Sequence, residues 1–235
     1  MSLSIVFKHL FKWLLILSSL MLLYSWVQKD ELPEPEYYSK TDFLPPVQLP
    51  TTKKQFSTNV NGQTYIIKPE FEYELQGVVV SYHNADVMSD IWHHDKWKDF
   101  INIRDLCVIW GDNIKSGVYK KMAFSNDSWT CWASWPDQAT GELFSMRQLS
   151  NNHLLSDNEK INRVLMSAEP GDHIKLTGVL AEYSNPGNGF NRGTSTIRED
   201  TGNGACETIY LNDFEIIDKA NAGYRGMYVF SLWVF

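Results

Sequence analysis

The chain of 235 residues has only three cysteines, no run of lysine or arginine and a single long apolar segment. So few cysteines exclude a disulfide-dense secreted scaffold. A mean hydropathy of −0.30 excludes a polytopic membrane protein. The net charge is −7, and an acidic domain repels phosphate backbones, so nucleic acid is not an expected partner. The remaining composition is that of a globular domain with appended segments.

The long apolar segment lies at residues 5–27. A membrane-spanning helix needs about 20 predominantly apolar residues. Lys8 and Lys12 precede the densest part of the segment, and acidic residues follow it from Asp30 onward. By the positive-inside rule, this pattern predicts a cytoplasmic N-terminus and a main domain on the far side of the membrane.

A cleaved secretory signal is the alternative, and it predicts the same compartment. The apolar segment ends in Leu-Tyr-Ser-Trp-Val at residues 23–27, without the small residues of a cleavage site. We therefore expect residues 1–28 to be an uncleaved single-pass anchor, with the main domain on the far side of the membrane.

Residues 29–55 carry five of the nine prolines, all between Pro33 and Pro50. Such a segment favours extended polyproline II and predicts a linker that stands the domain away from the bilayer. The alternative is a strap that lies across the surface of the domain.

Residues 56–218 have mainly the pattern of β-strands, which is clearest where Phe71, Tyr73 and Leu75 alternate with polar residues. Gly77 marks a predicted bulge or bend. A short helix is predicted at residues 89–100. The pattern predicts strands at residues 71–80, 105–110, 118–124, 129–135, 173–183 and 207–217.

The clearest predicted helix begins at Ser156, which forms a capping box with Glu159, and Pro170-Gly171 ends it. Along the chain, three strand regions precede this helix and two strands follow it. This order predicts a mainly β fold: a small OB-like Greek-key barrel with one helix between strands 3 and 4, preceded by an N-terminal transmembrane helix. Another small barrel or a sandwich is the alternative.

Several strings of residues carry a resemblance to a known family: SNNHL at 150–154, PGD at 170–172, GVL at 178–180, TS at 194–195 and REDTGNGACE at 198–207. Over residues 73–217 the chain resembles a family of single-span bacterial envelope proteins with an acidic domain outside the inner membrane. The resemblance implies that the anchor lies in a bacterial inner membrane and the main domain in the periplasm. The family has no assigned activity, so the resemblance implies no mechanism. The aromatic tail at residues 219–235 is not part of it.

Residues 184–205 form a glycine- and asparagine-rich segment that carries Arg192, Arg198, Glu199 and Asp200. Loops this long in compact domains are often functional, so we expect a binding loop at the mouth of the barrel. The alternative is a long hairpin whose charges pair with one another.

Asn152 and His153 precede the predicted helix, and Trp132 is the middle one of three tryptophans at every third residue. An outward tryptophan stacks on a sugar or docks a partner, so these residues complete the candidate binding site. The alternatives are that His153 bonds to local backbone and that the tryptophans fill the core.

The catalytic and metal-binding motifs that the sequence suggests are incomplete. The single Asp-Thr-Gly at residues 200–202 lacks the second carboxylate of an aspartic protease. Adjacent His93 and His94 diverge, and no Cys-x2-Cys or His-x3-His spacing occurs. We therefore predict neither metal nor cofactor. Cys107 and Cys131 lie on neighbouring predicted strands and are the predicted disulfide pair.

The sequence favours a non-catalytic, membrane-anchored binding or assembly module that contacts an envelope protein. A glycan or cell-wall binder using exposed tryptophan is one alternative. A hydrolase using His153, Asp200 or Cys206 is the other. The tail, rich in β-branched and aromatic residues, is predicted to be an extended strand or an adhesive segment, covered by the protein's own domain.

Overall fold

A computed structural model describes residues 3–85, 92–127, 129–202 and 205–234. The helices are α1 Leu3–Gln28, α2 Asp112–Lys115, α3 Gln138–Leu143, α4 Glu159–Leu165 and α5 Ala222–Trp233. The strands are β1 Val47–Pro50, β2 Phe56–Val60, β3 Gln63–Asn84, β4 Asn102–Ile109, β5 Ala123–Asp127, β6 Thr130–Ser134, β7 Leu149–Leu155, β8 His173–Asn185, β9 Phe190–Arg192 and β10 Cys206–Asp218. Short 3-10 turns lie at Pro35–Tyr38, Val118–Lys121 and Met146–Gln148.

Within the described residues, eight strands form one mixed sheet in the order β1-β3-β4-β7-β10-β8-β9, with β2 paired to β3. β3 also pairs with β8. The pairing of β7 with β10 is parallel. The β5–β6 hairpin forms a separate two-stranded sheet. The mainly β prediction is confirmed, and the sheet is larger than the five-stranded barrel that the sequence predicts.

The long strand β3 shows why its sequence alternates. Tyr65, Ile67, Tyr73 and Leu75 are all buried in the core. Its register shifts lie at Pro69/Phe71 and Val79/Ser81, so the bulge predicted at Gly77 is wrong. A Cβ at Gly77 would lie 2.5 Å from Val108 Cγ1. The glycine therefore permits the close approach of β4.

The N-cap of helix α4 is Asn158, two residues after the predicted N-cap Ser156. The Asn158 side chain accepts a hydrogen bond from the backbone amide of Lys160 over 2.9 Å. The hydroxyl of Ser156 accepts from the amide of Asn158 over 3.0 Å. The serine therefore forms a turn that leads into the helix, and the predicted box with Glu159 is wrong.

Two further predictions are only partly met. Residues 118–124 divide into a 3-10 turn and the start of β5 rather than one strand. Of the helix predicted at 89–100, residues 89–91 lie outside the described part of the chain, and Trp92–Lys96 is a π-helix.

The proline-containing segment 29–55 packs on the domain instead of standing it away. Tyr38 and Phe43 are buried in the main core. The Tyr38 hydroxyl donates to the Gly171 carbonyl over 2.6 Å, and β1 pairs with β3. The alternative of a strap therefore describes this segment, because its aromatic side chains have apolar area to bury.

The aromatic tail is helical, so the predicted extended strand is wrong. α5 packs against α1 rather than against the sheet: the rings of Tyr24 and Tyr224 lie 5.7 Å apart, and the Ser18 hydroxyl donates to the Ser231 carbonyl over 3.3 Å. The neighbouring helix, rather than the β propensity of the tail, determines its structure.

Candidate functional site

The candidate site is built on the paired strands β4 and β7. Their register sets Asp105 directly opposite His153, and His153 Nδ1 lies 2.8 Å from Asp105 Oδ1. Asn102 Nδ2 donates to the same carboxylate oxygen over 3.1 Å. All three side chains are buried. The strand pairing therefore holds an aspartate–histidine pair inside the domain.

Arg192, in β9, closes the other side of the imidazole by donating from Nη2 to His153 Nε2 over 2.6 Å. Since arginine has no acceptor, the ring proton of His153 is on Nδ1, facing Asp105. Burial lowers the pKa of His153, and Asp105 offsets this only in part. Burial raises the pKa of Asp105, but His153 and Asn102 outweigh that effect and the pKa is lowered. The pair is thus a carboxylate beside a neutral imidazole.

A second buried carboxylate lies beside the first. Asp99 Oδ2 is 3.1 Å from His93 Nε2 and accepts from the Tyr183 hydroxyl over 2.6 Å. Burial raises the pKa of Tyr183 well above its ordinary value, so this hydroxyl remains a donor. Asn102 Nδ2 lies 3.3 Å from His93 Nε2 and connects this group to Asp105.

Trp129 covers this polar cluster. Its ring stacks on His93 with a centroid distance of 4.5 Å and lies 5.2 Å from the ring of His153. The guanidinium carbon of Arg192 lies 3.8 Å from the Trp129 centroid, within cation–π range. Trp129 has a φ of +73°, a costly backbone conformation for a bulky residue. The ring contacts hold it there.

A cavity of about 350 Å³ opens beside Trp129. Trp132 stands at its edge, with 57% of its surface exposed and its indole Nε1 donating to Asp127 over 3.1 Å. The lining is mainly apolar with few polar groups, which is typical of binding pockets. Among the lining residues are Trp129, Trp132, Met146, Asn151, Arg192 and Cys206.

A disulfide between Cys107 and Cys131 fastens the β5–β6 hairpin to β4. The hairpin carries Trp132 in β6 and Trp129 in the turn between its two strands, so the crosslink positions both tryptophans over the sheet. Cys206 is free. Its thiol lies 3.8 Å from the Trp129 carbonyl, and burial raises its pKa. A thiol held protonated is a poor nucleophile.

The structure brings three of the sequence-predicted site residues together here: His153, Arg192 and Trp132. Asn152 is buried elsewhere and donates to the Leu106 carbonyl over 3.1 Å, so it supports the sheet. The predicted site residue Asp200 accepts from the Ser195 hydroxyl within its own loop.

The other two predicted loop charges pair with neighbours. Glu199 lies 3.7 Å from Arg147 on the surface. Arg198 donates to Glu207 Oε1 over 2.9 Å, and Glu207 is buried. Burial raises the pKa of Glu207 to about 7, although Arg198 lowers it in part. Both charges therefore pair with residues outside segment 184–205, rather than with one another as the hairpin alternative predicts.

We expect Glu207 to make the protein less stable as pH rises from about 4.5 to about 7. The folded protein keeps a proton there that the unfolded chain releases, so the free energy of unfolding falls. The free energy of unfolding of Glu207→Gln, relative to that of wild type, should rise by roughly 3 kcal/mol between pH 4.5 and pH 8. This figure follows from the size of the pKa shift. Urea unfolding at both pH values measures this. Glu199→Gln, at an exposed site, is the control, and parallel profiles for Glu207→Gln and wild type would contradict the expectation.

Asp105, Asp99 and Trp129 are site residues that the sequence does not predict. Two signals are present: Asp105 is a charged residue in the otherwise apolar strand of residues 105–110, and Trp129 is the first of the three regularly spaced tryptophans. The chain within the described ranges contains no group of three histidine, cysteine, aspartate or glutamate side chains arranged to hold a metal ion.

The chain matches no model of a known protein family, no curated protein and no solved structure.

Proposed function

We propose that this protein is a single-pass protein of the bacterial inner membrane whose β domain lies in the periplasm and binds another envelope protein without catalysis. Phe7–Gln28 is long and apolar enough to cross a membrane. Lys8 and Lys12 at its N-terminal side support a cytoplasmic N-terminus. The Cys107–Cys131 disulfide supports an oxidising compartment for the domain.

The pairing of five strands supports an OB-like fold for the domain, and such a fold would suit binding. β3, β4, β7, β10 and β8 pair in that order and β8 pairs back to β3, while α4 lies between the third and fourth of them along the chain. OB-folds bind extended ligands on their second and third strands and on the loop between the fourth and fifth. The cavity touches β7, the loop before β10 and the hairpin fastened to β4.

The observation that carries the proposal is the row of contacts Asp105–His153–Arg192, in which the imidazole lies between two charged side chains. Both imidazole nitrogens face a charged partner, at 2.8 and 2.6 Å. A general base needs a free lone pair that reaches the substrate. His153 has none, Cys206 is protonated and Asp200 lies in a loop turn, so the hydrolase alternative has no support. These contacts instead hold Arg192 in place and so give the cavity wall a fixed shape.

The lining of the cavity favours a protein segment. Trp132, Met146 and Leu149 offer an apolar surface, and Arg192 adds a cationic donor. Such a site fits an apolar side chain followed by a carbonyl or carboxylate. The exposed Trp132 with Asp127 at its edge also suits the face of a sugar, so glycan binding remains the second candidate.

A photo-crosslinking residue at position 132 is expected to yield one discrete adduct with an envelope protein in living cells. Position 135 is the matched control: Trp135 follows the same hairpin and is 45% exposed, but it lies outside this cavity. The absence of an adduct at 132, or equal adducts at both positions, would contradict protein binding. Quenching of tryptophan fluorescence by soluble cell-wall fragments in wild type, but not in Trp132→Ala, would establish the glycan alternative instead.

A further inference from the structure

α5 lies antiparallel to α1, beside the half of that helix nearest the domain. Arg225 Nε donates to the Lys29 carbonyl over 3.1 Å at one end of the contact, and Ser18 contacts Ser231 at the other. Lys29 and Ser18 are separated by about 17 Å along α1, at 1.5 Å per residue. α5 therefore extends over roughly half of the 30 Å thickness of a bilayer's hydrocarbon core.

The surface between the two helices resembles a contact within a membrane. Ser18 and Ser25 of α1 are buried there, and so is Ser231 of α5. Small residues let transmembrane helices approach closely, and serine hydroxyls bond to nearby backbone carbonyls. Ser25 Oγ donates to the Met21 carbonyl over 2.7 Å, so its hydroxyl is satisfied within α1.

The charged side chains of α5 and of the neighbouring residues 18–29 lie at the domain end of the contact. Arg225 Nη1 donates to Asp172 Oδ1 over 2.6 Å, and its Nη2 donates to the Pro170 carbonyl over 2.8 Å. Asn221 Nδ2 donates to the Glu31 carbonyl over 2.6 Å. These contacts fix α5 to the domain and direct the rest of the helix along α1.

The outer face of α5 is exposed. Trp233 is 85% exposed and Phe230 is 63% exposed, and Val229 and Leu232 lie beside them with about half of their surfaces exposed. Beyond Arg225 the helix carries no charge. An apolar face of this kind in water would be an aggregation site. It continues the exposed apolar surface of α1.

We infer that α5 is embedded in the outer half of the inner membrane beside α1, with its outer face in contact with lipid acyl chains. This inference rests on the proposed anchoring of the chain by α1. The domain is then held to the bilayer by two antiparallel helices, which restrict its rotation relative to the membrane. Its site consequently faces partners in a fixed orientation.

Quenching of an attached fluorophore by lipid tests the inference. Full-length protein with Cys206→Ser carries one added cysteine, at Phe230→Cys, at Leu20→Cys on the lipid-exposed face of α1, or at Thr64→Cys on the surface of the domain. Each variant is labelled with bimane in detergent and reconstituted into phosphatidylcholine vesicles brominated on the acyl chains. We expect several-fold quenching at positions 230 and 20, and none at 64.

The outcomes separate the two proposals. Quenching at 20 without quenching at 230 would overturn the embedding of α5 and leave the anchor intact. No quenching at either position would overturn the anchor and the inference together. A Ser18→Cys/Ser231→Cys variant that forms an intramolecular disulfide, where Ser18→Cys/Val229→Cys does not, is expected in the same vesicles. Equal crosslinking in both variants would contradict the helix pairing.

Discussion

Replacing His153 with alanine is expected to lower the free energy of unfolding by about 3–5 kcal/mol, because the buried Asp105 carboxylate loses its closest polar partner. The change leaves the Asp105 carboxylate buried with Asn102 as its remaining donor. It also removes the acceptor of Arg192 and opens a space beneath Trp129. Urea unfolding followed by tryptophan fluorescence measures the loss.

A double-mutant cycle separates the cost of the unpaired Asp105 carboxylate from the cost of the volume lost with the His153 side chain. Asp105→Asn combined with His153→Ala is expected to be more stable than His153→Ala alone, because the neutral amide costs less to bury than an unpaired carboxylate. If His153→Ala lost less than about 1 kcal/mol, a level typical of surface sites, the cluster would not be the rigid wall that the proposed function requires.

The candidate site depends on long-range pairing that no local pattern contains. The strands that hold Asp105 and His153 could be predicted from their apolar runs, but the pairing of these two residues depends on the register between β4 and β7. A shift of one residue would turn one of the two side chains to the opposite face. The sequence therefore identifies His153 as a candidate without its partner.

Segment 29–55 is not the linker that its prolines favour, and the tail is not the predicted strand, because composition indicates what a segment prefers in isolation. Prolines favour an extended linker, yet Phe43 packs its ring 4.7 Å from that of His173 and thereby joins the core. The tail has β propensity, yet a neighbouring helix supplies contacts that outweigh it. Short-range patterns were sufficient for α1, β8 and β10, whose apolar residues are dense or alternate clearly.

A buried arginine shows the same limit. Arg104 is fully buried in β4, although arginine is normally exposed. Its Nη1 donates to the carbonyls of Leu165 and Ala168 at the C-terminal end of α4, over 3.0 and 2.6 Å. A cation suits the negative end of a helix dipole. Only the packing of α4 on the sheet shows this role.

Removing the disulfide by Cys107→Ala/Cys131→Ala is expected to lower the free energy of unfolding by about 3 kcal/mol. The crosslink closes a loop with a sequence separation of 24, and a loop of that size restricts the unfolded chain by about this amount. Thermal unfolding of the purified full-length protein measures the change. Cys206→Ser is the control and should stay within about 1 kcal/mol of wild type, because its thiol bonds weakly to the Trp129 carbonyl and serine keeps a donor there.

The disulfide also links stability to the site and to the compartment. Without it, the β5–β6 hairpin loses its covalent attachment to β4, so the adduct from position 132 should weaken along with stability. In wild-type cells, a thiol reagent applied to the denatured protein should modify Cys206 alone. Modification of all three cysteines would contradict the periplasmic location, because an oxidising compartment is what maintains the crosslink. A stable but unlinked domain in such cells would mean that packing alone positions Trp129 and Trp132.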